Sequence, residues 1–292
     1  MLPHLALGAL AATCACGLVF DLDALGPGAG PPVGDAGAGT DGTTDGGEDD
    51  ATHHDAGTTD DGAIVSTEAG PDASTSCPSS QGPTMVSAGG VCIDRTQVSV
   101  ADYGVFLAAT RNAPPLASPC DWVTSVTPDD WATQLATPKH PVVTVTWCGA
   151  FTYCAWAGKR LCGRVGGGAV PFSDAGVDPA TNQWYRACSH AGVRAYPYGP
   201  TEAPGACPAY PTVDDVGTHP ACEGGYPGLL DMTANVTEWT DSCDNEGKTN
   251  HALDACTAMG ASGVTGLRAC AGATELTRHY TDPSIGFRCC GP

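Results

Sequence analysis

Basic residues are scarce in this chain. It carries 12 Lys+Arg against 32 Asp+Glu over 292 residues, a formal net charge of -20. A surface of that sign repels phosphate backbones, which excludes nucleic acid as a partner. Long apolar runs are missing as well. No stretch reaches the roughly 18 residues that a bilayer-spanning helix requires, so a membrane contact is expected only through a lipid anchor. Aromatic residues make up 7% of the chain. The C-x-x-C spacing of a zinc ribbon does not occur. Neither does the G-x-x-x-x-G-K phosphate loop or the G-x-S-x-G elbow of a serine hydrolase, and Gly166, Gly167 and Gly168 read as a flexible turn.

Cysteine, glycine and proline are abundant, with 16, 39 and 24 residues. Sixteen cysteines suit an oxidising compartment and fit a reducing cytosol badly. They are distributed unevenly, and so is the charge. Residues 1–20 are apolar and rich in small side chains, which reads as an export signal. Cys14 or Cys16 is the candidate acylated residue of a lipoprotein, with a plain cleaved signal as the alternative. Residues 21–76 hold 13 acidic residues and no Lys or Arg. Their Gly/Asp/Thr composition cannot bury enough apolar area to offset ordering entropy, so a disordered acidic linker is expected. Residues 77–292 keep 14 cysteines, an even number that suits a disulfide framework. Short separations favour Cys77 with Cys92, Cys207 with Cys222, and Cys243 with Cys256.

Hydrophobic spacing predicts three helices in this body. Ser99 and Asp102 form a capping box ahead of a helix to Thr110. Trp147, Phe151 and Cys154 share one face of a second helix to Ala157, and a third runs over 181–191. Strands are expected at 90–93, 142–146 and 284–289. Strand and helix do not alternate, which indicates an α+β fold, disulfide-rich and poor in regular secondary structure. Trp147, Trp156, Trp184 and Trp239 are assigned to the core.

One segment is more specific than the rest. GLLDMTANVTEW at 228–239 resembles the G-L-Y-D-M-x-G-N-V-W-E-W signature of the formylglycine-generating enzyme, or sulfatase-modifying factor, family. Four further segments match family motifs in the same order. They are GVCIDRTQVS at 90–99, PVVTVTWCGAFTYCAWAGKRLC at 141–162, YPYG at 196–199 and IGFR at 285–288. The resemblance covers nearly all of 77–292 and implies a fold similar to C-type lectins.

The resemblance also implies chemistry. The family's best-known activity oxidises a sulfatase cysteine to formylglycine with O2, at a copper(I) held by two thiolates in R-G-G-S-x-x-C-x-x-x-x-C. The corresponding stretch here is MGASGVTGLRAC at 259–270. Ser262 and Cys270 fall on motif positions, so they are the candidate catalytic pair, with Cys270 the candidate copper ligand. The other thiolate position is Thr265, and a hydroxyl is a poor ligand for copper(I). Cys270 alternatively forms a disulfide with Cys289 or Cys290. The family motif at 228–239 also contributes ligands to a structural Ca2+, which makes Asn235, Val236 and Glu238 candidate calcium ligands. The alternative there is that Asn235 caps a turn and Glu238 pairs with an arginine. Gln97 and Ala234 depart from the Glu and Gly of the family pattern. Two functions are therefore expected in competition: a non-catalytic module holding a protein, peptide or glycan, and a formylglycine-generating-type oxidoreductase. Either is expected to be exported.

Overall fold

The structure is a computed structural model that describes residues 76–292 apart from 112, 114, 175, 209–210, 245–248 and 261–267. The expected signal and linker, Cys14, Cys16, Ser262 and Thr265 lie outside the described residues.

Two hairpin neighbours open the fold. β1 (Met85–Ala88) pairs antiparallel with β2 (Val91–Asp94) around Gly89 and Gly90. Both glycines have positive φ, 59° and 84°, which a side chain would resist. Helix α1 (Val100–Thr110) follows, with the expected capping box at Ser99. The short α2 (Trp131–Gln134) precedes α3 (Trp147–Trp156), which Thr146 caps. β3 is Arg160–Leu161 and α4 is Gln183–Cys188. The later strands are β4 (Thr237–Cys243), β5 (Ala255–Met259), β6 (Ala273–Thr277), β7 (Ile285–Phe287) and β8 (Cys289–Cys290).

These strands form two four-stranded sheets, ordered β1-β2-β8-β3 and β6-β5-β4-β7. Within them β4 and β7 run parallel, and the other pairings are antiparallel. The expected strand at 284–289 is thus two strands in two sheets, with Arg288 at the crossover. Gly286 lets β7 approach its neighbour, because a Cβ there would meet the Val142 carbonyl at 2.6 Å.

Two expected elements are corrected. The β-branched run at 142–146 joins no sheet. Val142 N–H donates to the Val98 carbonyl, Val143 N–H to the Gln134 side chain and Thr144 N–H to the Asp282 carbonyl. Thr144 takes a φ of 53°, which strand geometry does not allow. The third helix is shorter than its pattern. Asn182 accepts from Tyr185 N–H as its N-cap, and His190 and Ala191 have φ of 52° and 55°, ending it early.

The core has two parts. In one, Tyr103, Phe106, Tyr153 and Phe287 pack with ring centroids 5.1–6.1 Å apart, between α1, α3 and β7. Trp147 and Trp239 belong to it, and Trp156 packs against its edge half-buried. The other gathers Ile93, Trp184, Leu229, Met232 and Met259 around four half-cystines. Among the described residues, no helix is long and apolar enough to cross a membrane.

Candidate functional site

All 14 cysteines of 77–292 are paired. The three short-range bridges expected from spacing are present: Cys77–Cys92, Cys207–Cys222 and Cys243–Cys256. The other four are Cys120–Cys148, Cys154–Cys289, Cys162–Cys290 and Cys188–Cys270. Cys270 therefore bonds to Cys188, not to Cys289 or Cys290. Neighbouring residues of a strand point to opposite faces. Cys289 accordingly meets α3, and Cys290 meets the segment after β3, which leaves neither for Cys270. Cys188 sits at the end of α4, and both sulfurs of its bridge are fully buried beside Trp184 and Met259. A disulfide sulfur is no thiolate, so the described residues as they stand do not fit a copper(I) pair.

The 228–239 motif builds a buried polar centre. Its backbone is curled, with φ of 56°, 68° and 53° at Asp231, Ala234 and Asn235. Ala234 thus occupies the left-handed position for which the family pattern has glycine. Glu238 on β4 is fully buried and faces Arg288. Arg288 Nε donates to Glu238 Oε2 at 2.7 Å and Nη2 to Oε1 at 2.8 Å. The Trp184 indole N–H donates to the same Oε2 at 2.7 Å. Arg288 also donates to the carbonyls of Asp94, Leu230 and Asp231.

The expected calcium ligands are occupied by protein donors. Asn235 Oδ1 accepts from Asp214 N–H at 3.1 Å, and its amide donates to Gln97 Oε1 at 3.1 Å. The Val236 carbonyl accepts from Gln97 Nε2 at 3.2 Å. Both oxygens of Glu238 serve Arg288. A divalent cation at this donor set would have to displace a guanidinium and an amide, so the residues do not fit Ca2+. Among the described residues, no three His, Cys, Asp or Glu side chains come together to hold a metal.

A second buried pair ties the end of β2 to β8 and to the residue before β3, within one sheet. Lys159 Nζ lies 2.5 Å from Asp94 Oδ1, and Asp94 Oδ2 accepts from Cys289 N–H at 3.0 Å. Sequence reading did not pick out this pair; the available signal was Asp94, which lies within the matched GVCIDRTQVS segment. Burial pushes the Asp94 carboxyl up to about 7, against the opposing pull of Lys159. Burial likewise raises Asp241 to about 6, against Arg160 and Arg278. Between the ordinary carboxylate range and these values, the folded chain holds protons that the unfolded chain has released. Stability from these two groups is therefore full in acid and lost as pH rises through that window. The expected result is a higher melting temperature at pH 5.5 than at pH 8, with a shallower slope in Asp241→Asn. A flat profile in the parent, or an unchanged slope in the variant, contradicts this.

An open cleft of about 520 Å3 lies between the 172–178 loop and the β5–β6 pair. Asp174, Asp178 and Glu275 line it with Phe172, Ala273 and Thr257, and among the described residues no base does. Thr257 stands opposite Glu275 in the ladder, and its buried hydroxyl has no hydrogen-bond partner. Walls of this charge favour a cationic group over a carboxylate or phosphate.

Comparison with known proteins supports the family resemblance. The model of the sulfatase-modifying factor enzyme 1-like domain matches residues 51–291. Formylglycine-generating enzyme of Mycobacterium tuberculosis is 32% identical over 117 residues, covering 35% of this chain and 33% of that protein. The Bos taurus enzyme is 32% identical over 126 residues, covering 37% and 29%. The alignment thus spans about a third of the length of these relatives. Among solved structures, CarF aligns with a TM-score of 0.47 at 18% identity, over 69% of this chain and 86% of that one. PvdO from Pseudomonas aeruginosa gives 0.45 at 17%, over 68% and 79%. With its family model matched over most of its length, the chain belongs to the sulfatase-modifying factor enzyme 1-like domain family.

Proposed function

We propose that this protein is a non-catalytic member of its family, an exported module that binds a peptide, glycan or protein partner. The observation that carries this reading is the Cys188–Cys270 disulfide. It ties up the one motif cysteine that the sequence retains, while the other motif position is Thr265. Seven bridges and no described free cysteine suit an oxidising compartment, which supports export. The acidic cleft is the surface on which we place the ligand. A lipid anchor at Cys14 or Cys16 would tether the module to the cell envelope.

Family membership favours the oxidoreductase alternative, so the test must separate the two. Purified protein is alkylated under denaturing conditions without reduction, digested and weighed. The expected result is a linked peptide joining Cys188 to Cys270, with no alkylated cysteine in residues 77–292. O2 uptake with a cysteine-containing peptide and cuprous ion should stay at background in the parent and in Cys270→Ser alike. An alkylated Cys270, with uptake that disappears in Cys270→Ser, overturns the binding reading.

A further inference from the structure

Gln97 is fully buried just before α1, and its amide sits inside the curl of the 228–239 motif. Nε2 donates to three main-chain carbonyls: Asp231 at 3.1 Å, Val236 at 3.2 Å and Ala234 at 3.4 Å. The Asn235 amide holds Gln97 Oε1 at 3.1 Å, which fixes the nitrogen toward the carbonyls. Left-handed φ at Asp231, Ala234 and Asn235 is what brings those carbonyls to one point. Three convergent carbonyl dipoles repel one another unless a positive group stands among them. This is the same requirement that a hard cation meets with oxygen ligands. We infer that the Gln97 amide substitutes for a structural cation, so that the motif holds its shape without metal.

The charge balance around the position supports this. Arg288 already donates to the Asp231 carbonyl at 2.7 Å, and Glu238 neutralises it. An added divalent ion would share that carbonyl with a guanidinium. A glutamate at 97, as in the family pattern, would instead place a carboxylate against three carbonyls. Such a group needs a cation beside it. The Glu-to-Gln departure and independence from calcium are then one change.

The test compares the full chain with Gln97→Glu by thermal unfolding in chelator and in millimolar Ca2+, with bound calcium measured after gel filtration. The parent is expected to melt identically in both and to carry almost no calcium. Gln97→Glu is expected to lose about 10 °C in chelator, regain most of it in Ca2+ and bind about one equivalent. About one equivalent of calcium in the parent, or a parent melting temperature that drops in chelator, overturns the inference. So does a folded Gln97→Glu protein indifferent to calcium. If Gln97→Glu does not fold in either buffer, the parent's calcium content and chelator response decide, with Gln97→Met as the uncharged control. That control should melt lower than the parent by the same amount in both buffers.

Discussion

Arg288→Ala is expected to cost about 3–5 kcal/mol, the effect of leaving a buried charge without its partner. The guanidinium holds both oxygens of Glu238 and three main-chain carbonyls, in a site with no solvent access. Removing it strands the Glu238 carboxylate against Trp184 and leaves those carbonyls with fewer donors. Total stability of a domain is about 5–15 kcal/mol, so the variant should be marginal. Lysine should rescue little, because an ammonium cannot reproduce the two parallel bonds of the fork. Pairing Arg288→Met with Glu238→Gln should recover part of the loss, since neither charge is then left alone. Denaturant midpoints followed by tryptophan fluorescence measure this. An Arg288→Ala protein within about 1 kcal/mol of the parent would show that the pair is not structurally important.

The second large effect belongs to the adjacent cysteines. Cys154–Cys289 closes a separation of 135 residues and Cys162–Cys290 one of 128. The two long loops nearly coincide. With either bridge intact, the other closes only the short segment between Cys154 and Cys162. The chain-entropy model then assigns about 3 kcal/mol to the loss of one bridge while the other remains, and about 7–8 kcal/mol to the loss of both. Replacing Cys154 and Cys289 by alanine should therefore leave a folded protein, as should replacing Cys162 and Cys290. Replacing all four should remove most of the stability. Equal midpoints for the two-site and four-site variants would refute the shared-loop account.

The local parts of this fold were legible in the residues. Ser99 with Asp102 marks the start of α1, because a capping box needs only side chains three apart. Cys77–Cys92, Cys207–Cys222 and Cys243–Cys256 follow from short separations for the same reason. Cys188–Cys270 does not, since its geometry depends on where α4 lies relative to the second sheet. The Val/Thr run at 142–146 has strand composition, but its donors go to Val98, Gln134 and Asp282, and nothing in the run itself encodes those partners. At the candidate site, motif matching located Asn235, Glu238 and Cys270. It did not reveal that Arg288 and Gln97, from distant segments, take up the ligand atoms. Pairing with an arginine was the alternative for Glu238, and that is the arrangement found.

The position of β8 has a consequence for biogenesis. It lies between β2 and β3, although ribosomes make it after every other strand of the domain. Until it arrives, β2 lacks one ladder partner, Asp94 lacks the Cys289 amide, and Cys154 and Cys162 have no sulfur to join. A nascent chain should therefore stay incomplete until β8 has been made. Closure would then wait for an oxidant that joins Cys289 and Cys290 to their partners.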